Sequence, residues 1–186
     1  MEDIDLVASV ILSYDSEDLD MIQNYQYKND LNLNKSLKFG FVRGPVWNFG
    51  DEDMKNGIEE FVKNSQLDIE DLDLGKDFED AANAHEIIMN GSIANSLINY
   101  YQADKSNLHP FTVKRIEAGI PVSASDYVSA IEKAKKMEQI LRQLFLKYDA
   151  IITPSAPGQA PRDLMNTGNA IFNGYWTMMG VPAISL

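Results

Sequence analysis

The chain has 186 residues, 45% of them hydrophobic, with no cysteine and a formal net charge of −12. This composition suits one globular domain, excludes disulfides and cysteine-based zinc sites, and disfavours binding to nucleic acid or an anionic membrane. No apolar run approaches the roughly 18 residues of a membrane span, and no basic segment of a signal peptide precedes Leu6 to Leu12, so we expect a cytoplasmic protein.

The N-terminal segment predicts an amphipathic helix followed by a loop. From Glu2 to Tyr14, apolar residues recur at helical spacing on one face, at Ile4, Val7, Ala8 and Ile11. From Asp18 to Asn34 the chain is rich in Asn, Asp and Tyr, which is typical of a loop.

The next segment predicts a β-α-β unit. Leu37 to Val42 is a short apolar strand that ends at a Gly-Pro turn. Asp51 to Asn64 predicts a helix, and Leu67 to Leu74 alternates acidic with apolar residues as an exposed edge strand does. Strand, helix and strand at this spacing predict two parallel strands. The inward residues of the helix are expected to be Met54, Ile58, Phe61 and Val62.

Acidic residues crowd the same region, with twelve between Asp51 and Asp80. Asp71 to Gly75 has the outline of a calcium loop, but the ligand positions fall on Leu72 and Leu74 and the closing carboxylate falls on Ala81. The segment is therefore interpreted as a solvated acidic face.

Three helices are predicted next. Phe78 to Tyr101 and Pro110 to Ala118 are the first two, and Gly119 is placed where a helix-terminating glycine belongs. The third, Ser123 to Tyr148, has the strongest helical period, and either Ser123 or Ser125 can cap it.

The C-terminal segment predicts a strand, a loop, a one-sided helix and a second strand. Ala150 to Thr153 is apolar and runs into prolines, Asn169 to Met179 is the helix, and Gly180-Val181-Pro182 is a turn. Ala183 to Leu186 is expected to be a strand without a closing turn, so we expect the chain to be a fragment of a longer protein.

The order of these segments resembles the amidase signature family of serine amide hydrolases. The resemblance covers nearly the whole chain and includes FTVKRIEAGIPVSASDYVSAIEKAKKMEQILRQLFLKYDAIITPSAPGQAP and NAIFNGYWTMMGVPAISL. It also includes LKFGFVRGPVW and the N-terminal helix, which resembles the family helix that follows the catalytic signature. It implies that residues 1–186 form part of an α/β domain with a mixed sheet flanked by helices.

The resemblance implies cleavage of a carboxamide C–N bond through a Ser acyl-enzyme, by a Ser-Ser-Lys triad in a Gly- and Ser-rich segment. This chain lacks such a segment, and Asn90-Gly91-Ser92 is its nearest imitation. We therefore expect a partial domain that lacks the catalytic signature and the C-terminal end, with no catalytic residue and no activity alone. The complete enzyme would act on a small-molecule amide; both a free amidase and an amidotransferase subunit remain open.

The candidate substrate-binding residues come from the same resemblance. Asn173 and Thr177 are four residues apart and share one helix face; Trp176 either packs or lines an apolar cleft, and Asn173 alternatively bridges a loop backbone. Arg115 suits a substrate carboxylate because a guanidinium contacts it in bidentate fashion; the alternative is a surface arginine paired with Glu117 or another acid.

Other chemistries find less support in the sequence. His85 is interpreted as a surface residue of a helix, and its distance from His109 does not favour a metal site. Ser155 to Pro157 is interpreted as the loop at a pocket edge, with no base beside the serine. We expect no cofactor and no metal. A second hypothesis is a non-catalytic binding or interaction module, or the complementing half of a split enzyme.

Overall fold

The computed structural model describes residues 2–18, 21 and 36–185. The chain divides into two compact units, residues 1–36 and residues 37–186. The first unit contains α1 (Glu2–Ile11), which confirms the predicted helix but ends three residues before Tyr14. The side chains of Ile4, Val7 and Ile11 are exposed. The loop expected from Asp18 to Asn34 lies almost wholly outside the described residues.

The second unit combines helices with a small sheet, which confirms the α/β class. Its described elements are, in chain order, β1 (Lys38–Phe41), α2 (Glu52–Asn64), β2 (Asp68–Asp71), α3 (Ala81–Asp104), α4 (Pro110–Gly119), α5 (Ala124–Leu144), β3 (Ala150–Ile152) and α6 (Ile171–Met178).

The sheet has the strand order β2-β1-β3, and both of its strand pairs are parallel. Phe39 of β1 is in register with Ile69 of β2 on one side and with Ala150 of β3 on the other. The predicted β-α-β unit and the edge position of β2 are therefore confirmed. The mixed sheet expected from the resemblance is not seen among these three strands.

The residues that start α5 and α4 are those typical of helix N-termini. The Ser123 hydroxyl accepts a hydrogen bond from the backbone N–H of Asp126 at 3.0 Å and so caps α5. Pro110 occupies the first turn of α4. Backbone N–H groups in a first turn have no intrahelical acceptor, so a proline there costs the helix no hydrogen bond. A short 3₁₀ helix, Lys76–Phe78, precedes α3, so this helix starts three residues later than predicted.

Helix α2 is covered less than its sequence period indicates. Met54, Ile58 and Val62 are only half-buried, and Phe61, which was expected to face inward, is exposed. No residue of α2 is fully buried, because the described elements cover its apolar face only in part.

Gly119 does not terminate α4 in the way the sequence predicted. It is the last residue of the helix, is buried, and does not have a positive φ. A Cβ on Gly119 would lie 2.0 Å from the carbonyl oxygen of Asn90 and 2.7 Å from Cβ of Ala94. The glycine therefore permits the close approach of α4 to α3.

The acidic segment is solvent-facing but is also ion-paired to lysines of α5. Lys136 Nζ lies 2.5 Å from Asp77 Oδ1, and Lys133 pairs with Asp80. These contacts join the outer face of α5 to the segment before α3.

A second polar cluster connects β2 and β1 with the segment between α5 and β3. The carboxylate of Glu70 in β2 accepts hydrogen bonds from Lys147 Nζ at 2.6 Å and from Tyr148 Oη at 2.9 Å. It also pairs with Lys38 Nζ of β1 at 2.5 Å. The three partners lower the pKa of Glu70 to about 2, with the Lys147 hydrogen bond as the largest cause.

The hydrophobic core joins α3, α5 and α6 to the segments that follow β1 and β2. Its buried residues include Val42, Val46, Leu74, Phe78, Ala81, Ala84, Ala130, Met137, Leu141, Phe172, Tyr175, Trp176 and Met179. None of the described helices is both long and apolar enough to span a bilayer.

The end of the chain differs from the prediction. Residues 183–185 have no regular secondary structure, so the expected strand from Ala183 is not formed there, and Leu186 lies outside the described residues. Gly180 has φ +66, which is the conformation of a turn after a helix and agrees with the predicted Gly-Val-Pro turn.

Candidate functional site

Helix α6 is held against the core by one face and exposes the other. Its buried face carries Phe172, Tyr175 and Trp176, whereas Asn173 and Thr177 are exposed. This division follows from the helical period, because residues four apart share a face. The two residues proposed from the sequence therefore lie together on the solvent-facing side of α6.

Asn173 connects this exposed face to the loop that follows β3. Its Nδ2 donates a hydrogen bond to the carbonyl oxygen of Ser155 at 2.8 Å. Thr177 Oγ1 donates to the carbonyl oxygen of Asn173 at 3.1 Å. The loop-bridging alternative for Asn173 is therefore present in the structure, while its exposed Oδ1 leaves a side-chain acceptor on the same face.

Trp176 does not share that face. It is 5% exposed and belongs to the core, where its ring lies 4.9 Å from the ring of Tyr175. Of the two roles left open for Trp176, packing is the one observed, because its position on the helix directs it away from Asn173 and Thr177.

Three buried polar atoms lie on or beside α6: Tyr175 Oη, Trp176 Nε1 and Thr153 Oγ1. None forms a hydrogen bond of good geometry with the described residues, although Thr153 and Trp176 lie close enough to Tyr175 to affect its pKa. Burial raises the pKa of Tyr175 to about 12, and the nearby Thr153 and Trp176 oppose that rise. Tyr175 Oη lies under Gly44, whose added Cβ would be 2.5 Å from it.

Arg115 is not part of the α6 face. Its Nη1 lies 2.5 Å from Glu86 Oε2 and 3.1 Å from Asn90 Oδ1, both on α3. Its guanidinium also lies 5.1 Å from the ring centroid of Phe111. The alternative of an arginine paired with an acid therefore fits the structure, with Glu86 as the acid.

An open cleft of about 380 Å³ lies between α3, α5 and α6, and Thr177 is on its edge. We call it the helical cleft. Its lining residues are His85, Ile88, Met89, Ile131, Ala134, Lys135, Glu138, Thr177 and Met178.

His85 is half-buried and is not the surface residue that the sequence predicted. Its imidazole lies against Gly174 of α6, where a Cβ would be 2.6 Å from His85 Cε1. Burial lowers the pKa of His85; the charge of Arg115 lowers it further, and that of Glu86 opposes the shift. The ring is therefore mainly neutral at neutral pH. A glycine inside the α6 sequence was the available signal for this close approach.

A second cleft, of about 560 Å³, lies between Asp51 and residues 156–169. The backbone N–H of Asp51 donates to the carbonyl oxygen of Pro157 at 2.7 Å. Gly158 lies directly against the Asp51 carboxylate, since an added Cβ would be 2.0 Å from Oδ2. Ala156 and Pro157 line this cleft, which places the Ser155 to Pro157 loop at its edge.

The serines considered in the sequence have no base beside them in the described structure. The Ser92 hydroxyl, on α3, is 3.0 Å from the Tyr127 hydroxyl, and the Ser155 hydroxyl makes no side-chain hydrogen bond to the described residues. Within the same residues, no group of three or more His, Asp or Glu could hold a metal ion.

No protein-family model matches this chain, and no curated protein matches it.

Proposed function

We propose that this chain is part of a carboxamide hydrolase of the amidase signature type and forms one side of its substrate pocket. The observation that carries the proposal is the exposed pair Asn173 and Thr177 on α6, which is hydrogen-bonded to the loop after β3. The resemblance of the ordered segments, from the strand at Leu37 to the helix at Asn169, supports it.

The chemistry of such an enzyme divides between this chain and residues outside it. A serine attacks the amide carbonyl, the nitrogen leaves with a proton, and water then hydrolyses the acyl ester to a carboxylic acid. Backbone N–H groups stabilise the tetrahedral intermediate. The 186 residues contain no Gly- and Ser-rich signature, so the nucleophile and the base belong to other residues of the complete enzyme.

The role assigned to α6 is recognition of the amide. The hydrogen bond from Asn173 Nδ2 to the carbonyl oxygen of Ser155 orients the side-chain amide. Its Oδ1 can then accept a hydrogen bond from a substrate amide N–H. The Thr177 hydroxyl donates to Asn173 and can still accept. Trp176 packs in the core behind this face, and Arg115 forms an ion pair with Glu86 of α3. Neither is assigned a contact with the substrate.

The sheet edge favours a second candidate, the complementing half of a split enzyme. Strand β3 pairs with β1 on one side and with no described strand on the other. An open strand edge is a ready template for pairing with another chain. Size-exclusion chromatography and a thermal melt separate the hypotheses. A monodisperse chain that melts cooperatively and binds a ligand without turnover would favour a binding module. Self-association through exposed strand edges would favour a partial domain.

The test is hydrolysis of carboxamides by the polypeptide that the complete gene encodes. We expect ammonia release and labelling of a serine outside these 186 residues by a fluorophosphonate. Asn173→Ala should lower kcat/KM about tenfold, the effect of one lost polar contact to the substrate, and leave the labelling intact. Lys114→Gln, an exposed change on α4, is the control. A complete product without a serine nucleophile or without amide hydrolysis would refute the proposal.

A further inference from the structure

The floor of the helical cleft is apolar and comes from three helices that the core holds in place. Ile88 and Met89 belong to α3, Ile131 and Ala134 to α5, and Met178 to α6. Its volume of about 380 Å³ lies near the lower end of small-molecule sites, which span roughly 300–1,000 Å³. The cleft therefore suits a compact ligand with an apolar body.

Lys135 gives the rim of the cleft one uncompensated positive charge. The flanking lysines of α5 are paired, Lys133 with Asp80 and Lys136 with Asp77, but Lys135 forms no ion pair with any described residue. Glu138, the acid on the cleft, forms an ion pair with Arg142, whose Nη2 lies 2.6 Å from Glu138 Oε1. The chain is acidic overall, yet this rim favours an anion.

The other side of the cleft offers hydrogen-bonding groups without a net charge. The imidazole of His85 lies against Gly174, and its ring nitrogens have no hydrogen-bond partner among the described residues. The Thr177 hydroxyl can still accept a hydrogen bond. A second anionic group on the ligand would therefore meet no opposite charge on this side, which favours a ligand with a single charge.

We propose that the helical cleft binds a small monocarboxylate with an apolar body, its carboxylate at Lys135 and its body against Met89 and Met178. Binding of this carboxylate does not rest on the proposed function.

The experiment titrates the chain, labelled with ¹³C at its methionine methyl groups, with octanoate and with octanamide. Met89 and Met178 line the cleft, and Met54, beside Gly50, is the internal reference. We expect saturable shifts at Met89 and Met178, none at Met54, and binding of octanoate on the order of tenfold tighter than octanamide, because a charge-assisted contact is involved.

Two variants make the test specific. Lys135→Gln should weaken octanoate binding by about tenfold and leave octanamide binding unchanged, whereas Lys114→Gln should change neither. Thr177→Trp, which fills the rim without entering the core, should weaken both ligands. Failure of octanoate to saturate Met89 and Met178, or equal binding of octanoate by Lys135→Gln and wild type, would overturn the proposal. Neither result depends on amide hydrolysis, so the proposed function is judged separately.

Discussion

Gly119 of α4 and Asn90 of α3 are in such close contact that any Cβ at residue 119 would lie 2.0 Å from the Asn90 carbonyl oxygen. The contact brings together two helices that also share the ion pair between Arg115 and Glu86. It fixes α4 against the same helix that provides His85 to the helical cleft.

Substitution of Gly119 should therefore be costly. Gly119→Ala is expected to lower the free energy of unfolding by about 3 kcal/mol, because the added methyl group must displace backbone. The matched control is Gly57→Ala in α2, where a Cβ meets nothing within 4 Å; it should stabilise the protein by about 0.5–1 kcal/mol. Urea unfolding of both variants checks this, and equal effects would contradict the contact.

The Glu70 cluster predicts a pH-dependent contribution to stability. The folded-state pKa of about 2 lies below the ordinary value of 4.5, so the stabilisation is complete above pH 4.5 and is lost as the pH falls toward 2. The difference in unfolding free energy between wild type and Glu70→Gln should shrink over that range and should shrink with added salt. Glu60→Gln, on the exposed face of α2, is the control; a difference that does not vary with pH would contradict the prediction.

Two buried tyrosines should respond differently to loss of the hydroxyl group. Tyr148 donates to Glu70, so Tyr148→Phe should lower the unfolding free energy by about 1–2 kcal/mol. Tyr175 Oη forms no hydrogen bond of good geometry with the described residues, so Tyr175→Phe should leave stability unchanged within about 0.5 kcal/mol or raise it. Thermal melts compare the pair, and a large loss for Tyr175→Phe would show that its hydroxyl is bonded.

The Asn173 hydrogen bond predicts the accessibility of the loop between β3 and α6. Asn173→Ala removes the bond to the Ser155 carbonyl oxygen and should increase tryptic cleavage at Arg162 about fivefold, the effect of losing ~1 kcal/mol. Thr177→Val, which removes a hydroxyl from the same face but no contact to the loop, should leave the rate unchanged. Equal rates for Asn173→Ala and wild type would show that this bond does not hold the loop.

Periodicity predicted the elements of this chain better than their partners. The Ser123 cap, the parallel strands and the shared face of Asn173 and Thr177 all follow from local rules. The burial of His85 against Gly174 and the pairing of Arg115 with Glu86 do not, because a helical period identifies a face without naming what covers it. Gly119 was misassigned for the same reason, since a glycine at a helix end can serve either a turn or a close approach.

The strand expected from Ala183 shows a different limit. Apolar composition indicates a strand only where a neighbour completes its hydrogen bonds, and no described strand lies beside residues 183–185. The ion pairs between the lysines of α5 and the acids before α3 could not be predicted from the sequence, because the paired residues are more than fifty positions apart.

The central claim is that these 186 residues recognise an amide but supply neither the nucleophile nor the base. The most direct measurement is ammonia release from a panel of carboxamides by the purified chain, with fluorophosphonate labelling in parallel. We expect no release above the buffer blank and no labelled serine. Release of ammonia that is abolished by substituting a serine within the chain, Ser92 or Ser155 first, would contradict the claim.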